Sequence, residues 1–316
     1  MKYLVIGAGG TGGLIGGYLA KKQYDVTLVA RGEHLRIIQT QGLSIKTYGK
    51  EPVRITTIKA ISAQEIGDQK FDVIFICVKA YDLPHILTVL TSAAHTKTMI
   101  IPILNSLGAG SYLRSVLPEF LIYDGCIYIT GYISAPGEVS QNNQIFKIFY
   151  GLDGADSKPN PLKEKMEKDM LECGIQIRYS SLITNEIFRK LTFTSAFASC
   201  AAYYNKQAAD LQLNGPYRQL FVSLLQELKQ ISDAAGFGLT ESFFEDNLRI
   251  LDNLSADFTA SIQKDLLQKK PDERNELIFD MIRLANKHGV QIAIMKKLPR
   301  FLTTSSLLFS AHELSA

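Results

Sequence analysis

The chain predicts an α/β fold: a doubly wound, largely parallel sheet in its first part and an all-helical second domain. Three observations carry that expectation. Short apolar segments alternate with helix-patterned ones through Leu104, as a parallel sheet covered by helices requires. Seven of the 23 glycines stand between Gly7 and Gly17, directly after the first apolar segment. Strand signals almost vanish beyond Ser180, so residues 1–180 and 181–316 read as two domains, in keeping with 316 residues at ~150 per domain.

The elements follow in order. Lys2 to Ile6 reads as a buried strand, Thr11 to Lys22 as a helix and Asp25 to Ala30 as a second strand, together a βαβ unit. A helix is expected near Glu33 to Thr40, and a hairpin over Leu43 to Ile61 about the Tyr48-Gly49-Lys50 turn. Phe71 to Val78 and Met99 to Leu104 are continuous apolar runs suited to central parallel strands, with a helix over Leu83 to Ala93 between them. Leu121 to Tyr150, with its Ala135-Pro136-Gly137 turn, suggests antiparallel strands added to the same sheet. A helix over Pro161 to Cys173 and a strand over Ile175 to Tyr179 complete this half. Beyond it, helical spacing runs through Ile183 to Tyr204, Tyr217 to Ala235, Glu241 to Leu251, Ser261 to Leu267 and Asp272 to His288.

Composition excludes several classes. With 46% hydrophobic and 21% charged residues the chain is not disordered, and a formal charge of +3 leaves no electrostatic footprint for nucleic acid or an anionic membrane surface. No apolar stretch approaches the ~20 residues of a membrane span. Cys77, Cys126, Cys173 and Cys200 form no CxxC pair, and His34, His85, His95, His288 and His312 form no ligand pair, so no metal site is expected. The histidines read as surface or packing residues, and the cysteines as thiols of a cytoplasmic protein.

Gly7-Ala8-Gly9-Gly10-Thr11-Gly12-Gly13 lacks the Lys-Ser/Thr that a P-loop needs after its last glycine. It fits GxGxxG through Gly7, Gly9 and Gly12: a tight turn, close backbone approach to a pyrophosphate, and close helix–strand packing. The N–H groups opening the next helix would face the phosphates. At the end of the second strand, where an NAD site would carry an acid for the ribose diol, stand Ala30 and Arg31. A guanidinium there suits a 2′-phosphate, so NADP(H) is the expected cofactor.

With those residues placed, the chain resembles the ketopantoate reductases (2-dehydropantoate 2-reductases) over essentially its full length. The resemblance implies a Rossmann-type N-terminal domain, a C-terminal helical domain, and reduction of a 2-keto acid by NADPH. Val78-Lys79-Ala80-Tyr81 looks like the family's post-strand lysine motif near the cofactor. Pro102 to Gly108 looks like its NGxG turn, with Ser106 in place of the first glycine; Asn105 keeps the residue that in the family contacts nicotinamide ribose and substrate. Glu186 to Leu191 is similar to the helix bearing the catalytic lysine, here Lys190. Ala260 to Leu266 and Lys270 to Glu273 resemble later segments that imply Ser261 as a substrate contact and Glu273 as a catalytic residue that orients the lysine or the substrate hydroxyl, or else contacts the cofactor ribose.

The departures concern the substrate. Where the family has asparagines four and eight residues after the lysine, this chain has Thr194 and Ala198; Thr194 could still bond a substrate. Phe279 replaces a glycine and Ile294 a proline. Buried polar groups enforce substrate identity strongly. The expected activity is reduction of ketopantoate to pantoate, the alternatives being another 2-keto acid or a silent NADP-binding module. A homodimer is the one macromolecular association the apolar helices would support.

Overall fold

The structure is a computed structural model that describes residues 1–154 and 160–298. The chain divides into two compact units, Met1–Glu186 and a second that begins at Ile187. In order, the first contains β1 (Lys2–Ile6), α1 (Gly10–Lys21), β2 (Asp25–Val29), α2 (Gly32–Gln41), β3 (Leu43–Thr47), β4 (Val53–Ile55), β5 (Lys59–Ile61), β6 (Val73–Ile76), α3 (Leu87–Ala93), β7 (Met99–Pro102), α4 (Ala109–Val116), β8 (Leu121–Ile122), β9 (Asp124–Tyr128), β10 (Gly131–Ala135), β11 (Glu138–Gln141), β12 (Lys147–Gly151), α5 (Pro161–Glu172) and β13 (Gln176–Tyr179). Helix α6 (Ile183–Tyr204) opens the helical part, followed by α7 (Ala208–Gln212), α8 (Pro216–Ala235), α9 (Phe243–Asp252), α10 (Ser261–Leu267), α11 (Asp280–Lys287) and α12 (Ala293–Lys297).

The central sheet has the order β5-β2-β1-β6-β7-β8, with every neighbouring pair parallel. Counting only its own strands, that order is 3-2-1-4-5-6, the doubly wound arrangement that binds dinucleotides where the strand order reverses, here between β1 and β6. Strand alternation sorts the core. Tyr3 and Val5 face one side with Leu14, Ile15 and Leu19 of α1 and Met166 and Met170 of α5, while Leu4 and Ile6 face the other with Val89 and Leu90 of α3 and Leu113 of α4. Each such buried aliphatic side chain contributes about 1.5–3 kcal/mol.

Of the antiparallel strands expected to extend this sheet over Leu121 to Tyr150, only the two-residue β8 joins it, and it pairs parallel to β7. β10 and β11 pair with the β3–β4 hairpin as a four-stranded sheet, and β9, β12 and β13 form a three-stranded one. Helix α1 explains the first of these. Its glycines let it approach the second sheet closely, so that a Cβ at Gly10 would fall 2.3 Å from the Gly131 carbonyl oxygen, one at Gly13 2.8 Å from Val139, and one at Gly17 2.6 Å from Ile45. On the opposite side, a Cβ at Gly16 would fall 2.3 Å from Leu28 of β2. A helix with glycine on both flanks can lie close between two sheets. Strand patterning reveals that a segment is a strand, but not which edge it will pair with. The expected Leu43–Ile61 hairpin ends at β4, because β5 crosses back to pair with β2.

The segment Ala80–Ile86 is a 3₁₀ turn ahead of α3, since Pro84 has no N–H for an α-helical bond. In the second unit the apolar stripe of α8 (Leu220, Phe221, Leu224, Leu225, Leu228, Ile231) is buried, with α7, α11 and α12 against the helix. Gly236, at φ 75°, stops it. The helix expected over Asp272 to His288 begins with a π turn at Asn275–Phe279 and becomes α-helical only at Asp280. Among the described residues no helix is long and apolar enough to cross a membrane.

Candidate functional site

Because all strands of the central sheet run the same way, their C-terminal ends share one edge. Gly7 to Gly12 follow β1, Arg31 follows β2, Lys79 follows β6 and Asn105 follows β7, four adjacent strands. The sheet therefore brings together every residue expected to contact the cofactor.

The glycines divide by role. Gly7, at φ 98°, turns the chain off β1, and a Cβ there would meet the Cys77 backbone at 2.9 Å. Gly12 lies so close to the Gly7 carbonyl that no side chain fits. Gly9 is different: nothing lies within 4 Å of the Cβ position there, and it caps α1, whose first turn holds no acid. The first N–H groups of a helix lack intrahelical partners and carry the positive end of its dipole. Beside Gly9, the first turn also contains Gly10 and the half-buried Thr11, while Ala8 is 5% exposed with its N–H bonded to the Val29 carbonyl at 3.2 Å. Gly10 spends its missing side chain on Gly131. This open, acid-free, N–H-lined turn suits a diphosphate.

Arg31 caps α2, its side chain 90% exposed, and reaches Asp82 at 3.7 Å. Lys79 caps the 3₁₀ turn that carries Asp82. Asn105 is half-buried, and the neighbouring Ser106 hydroxyl accepts the Gly108 N–H at 3.3 Å, a bond that glycine at 106 could not make. Helix α4, which follows, is held by Asp124: its carboxylate accepts the Gly110 N–H at 3.0 Å and an Arg114 N–H at 2.6 Å. Burial pushes the Asp124 carboxyl upward, against the lowering effect of Arg114. Cys77, between β6 and Lys79, is driven far up by burial and stays a thiol.

His34 and Glu276 carry no site role in the sequence. His34, read as a packing residue, bonds the Ala8 carbonyl through Nε2 at 2.9 Å and accepts the Gly137 N–H on Nδ1 at 3.0 Å. Burial lowers its pKa. Glu276, inside the π turn, is 5% exposed with Oε2 unbonded, and burial raises its pKa. Neither a lone histidine nor an acid in a helical run carries a sequence signal.

In the second unit, Lys190 and Thr194 stand one turn apart on α6, both half-buried, and the Thr194 hydroxyl donates to the Lys190 carbonyl at 3.2 Å. Ala198, the next position on that stripe, is 1% exposed. Glu273 is 4% exposed immediately before the π turn that ends at Phe279. Ser261 is exposed at the start of α10, whereas Gln263 is buried, its amide bonding the Lys206 carbonyl at 3.0 Å. Ile294 donates its N–H to the buried Glu227 carboxylate at 2.7 Å, and Met295 follows at 2.9 Å. Proline at 294 would have no N–H to give.

Sequence models of the family described as "Ketopantoate reductase PanE/ApbA" match residues 3–152, and of its C-terminal domain residues 182–304. The uncharacterized oxidoreductase YkpB of Bacillus subtilis (strain 168) is 24% identical over 296 residues, 94% of this chain and 96% of that protein. Among solved structures, a PanE/ApbA family ketopantoate reductase from Ralstonia eutropha JMP134 superposes with TM-score 0.84 at 19% identity, covering 96% of this chain and 97% of that one. D-mandelate dehydrogenase with NADH and anilino(oxo)acetate does so with TM-score 0.84 at 20% identity and the same coverage. Family models spanning both units, over a sheet with this strand order, make the chain a divergent member of the ketopantoate reductase family of oxidoreductases.

Proposed function

We propose that the chain reduces ketopantoate to pantoate with NADPH, the glycine turn, Arg31, Lys79 and Asn105 holding the cofactor and Lys190 acting as the acid. The observation that carries this reading is the set of four loops at one edge of a 3-2-1-4-5-6 sheet, in a family of ketopantoate reductases. Bound there, the dinucleotide supplies hydride to the keto carbon.

The protein's own groups do the rest. The α1 N-terminus neutralises the diphosphate. Arg31 bonds the 2′-phosphate, and Asn105 orients ribose and substrate. The Lys190 ammonium polarises the keto oxygen and delivers its proton as negative charge develops there. Glu273, buried next to the π turn, orients the lysine or the substrate hydroxyl, or else contacts the cofactor ribose. Ser261 and Thr194 are the further substrate contacts of this reading. Ser261 reaches the carboxylate, while Thr194, its proton committed to the Lys190 carbonyl, can only accept.

A second reading rests on the departures at Ala198 and Phe279. With Ala198 in place of an amide and Phe279 in place of a glycine, the substrate side is less polar than ketopantoate requires, which favours a bulkier 2-keto acid. D-mandelate dehydrogenase, solved with NADH and anilino(oxo)acetate, shares the fold. The test is oxidation of NADPH and NADH, followed by absorbance, with ketopantoate and an aryl 2-keto acid, using Lys190→Ala as control. The highest kcat/KM on ketopantoate supports the first reading, and the highest on the aryl acid supports the second. Lys190→Ala is expected to lower kcat by about 10²–10⁴-fold. Dinucleotide binding without turnover of any acid refutes both and leaves a silent binding module.

A further inference from the structure

His34 sits where three segments meet: the glycine turn after β1, the first turn of α2 and the Ala135-Pro136-Gly137 turn between β10 and β11. Both of its ring nitrogens are used. Nδ1 accepts the Gly137 N–H at 3.0 Å, so it carries a lone pair, and the ring proton resides on Nε2, which donates to the Ala8 carbonyl at 2.9 Å. Only the neutral Nε2–H tautomer makes both bonds.

The consequence for the turn follows from peptide geometry. The Ala8–Gly9 peptide is planar and trans, so its C=O and N–H point in opposite directions. Holding the Ala8 oxygen toward His34 therefore aims the Gly9 N–H away from His34. The other end of Ala8 is held as well, its N–H bonded to the Val29 carbonyl at 3.2 Å. Among the glycines from Gly7 to Gly17, Gly9 is the one with nothing within 4 Å of its Cβ position.

We propose that His34 is a positioning residue for cofactor binding, fixing the Ala8–Gly9 peptide so that the Gly9 N–H faces the anionic diphosphate of the dinucleotide. The proposal rests on the dinucleotide reading of this edge and deepens it. The ring acts as an uncharged bracket. The charged groups on its three segments are engaged elsewhere: Glu33 with Arg36 at 2.6 Å, Arg31 with Asp82 at 3.7 Å, and Glu138 with the Ser134 hydroxyl at 2.6 Å.

Two amides separate the two bonds. The amide of glutamine reaches the place of Nε2 and can donate to Ala8. That of asparagine reaches only the place of Nδ1 and can accept from Gly137. In calorimetric titration of the full chain with NADPH, His34→Ala is expected to weaken binding about tenfold, the effect of one lost oriented hydrogen bond to an anion. His34→Gln restores most of that affinity. His34→Asn recovers thermal stability relative to alanine but stays weak in binding, a split that a purely structural role would not produce. Equal affinity in wild type and all three variants overturns the proposal while leaving the dinucleotide reading intact, as does His34→Gln no better than His34→Asn. A wild type that binds neither NADPH nor NADH overturns both.

Discussion

Replacing Arg31 with alanine tests the cofactor assignment most directly, because the side chain lies outside the fold's packing. It is 90% exposed and, among the described residues, its ion-pair partner is Asp82 at 3.7 Å, so the loss costs the folded protein little: exposed pairs contribute about 0.2–1 kcal/mol. A hydrogen bond to a charged group is worth about 1.5–3 kcal/mol, and each 1.4 kcal/mol is tenfold. Arg31→Ala is therefore expected to raise the Kd for NADPH by about 10–150-fold, leaving NADH within a factor of about three and Tm unchanged. Asp82 supplies the opposite perturbation. A carboxylate 3.7 Å from Arg31 competes with a 2′-phosphate for the guanidinium, so Asp82→Asn should tighten NADPH by about 2–5-fold, again with little effect on NADH. Titration of both nucleotides into wild type and the two variants, at fixed ionic strength, measures all of these. Equal losses for NADPH and NADH in Arg31→Ala, or no selective gain in Asp82→Asn, refute the assignment.

The glycine turn should separate binding from stability. Gly9→Ala is expected to keep Tm and lose dinucleotide affinity, whereas Gly10→Ala, with its Cβ 2.3 Å from the Gly131 oxygen, should cost about 1–3 kcal/mol and lower Tm by several degrees in calorimetry. Glu227→Ala leaves the Ile294 and Met295 N–H groups unpartnered and should destabilise by about 2–4 kcal/mol in urea unfolding, with Glu227→Gln losing about half as much. His34 gives a pH signature. Its pKa in the folded protein lies below the ordinary value near 6.5, so below that pH the unfolded chain binds more protons and stability falls with acidification. The stability advantage of wild type over His34→Gln should accordingly shrink between about pH 7 and pH 5; an advantage constant across that range contradicts the neutral-bracket role.

Much of the nucleotide-binding unit was legible because its signals are local. Gly7-Ala8-Gly9 after Lys2–Ile6 specifies a turn through backbone freedom that only glycine has, and the Phe71 run specifies a strand buried on both faces. The glycine excess serves two ends, of which the sequence shows one. Gly7, Gly9 and Gly12 serve the turn, while Gly10, Gly13, Gly16 and Gly17 let α1 lie flush between two sheets. Nothing in their spacing separates the two uses, since each depends on what the fold sets against the helix. The assignment of β10 and β11 to a second sheet is hidden for the same reason: alternation encodes a strand's two faces, and its partner strand lies far away in sequence.

By itself, then, the sequence determined the Rossmann-type order of elements, the glycine turn, and Arg31 where an acid would serve NAD. These are properties of short segments, set by backbone sterics, side-chain period and charge. Tertiary structure decided which of those segments share an edge, that His34 brackets Ala8 and Gly137 across 103 residues of chain, that Asp82 answers Arg31, and that Glu227 uses an N–H a proline would lack. Each of these is a hydrogen bond or ion pair between residues remote in sequence, and such directional contacts exist only once the packed core has brought both partners within about 3–4 Å.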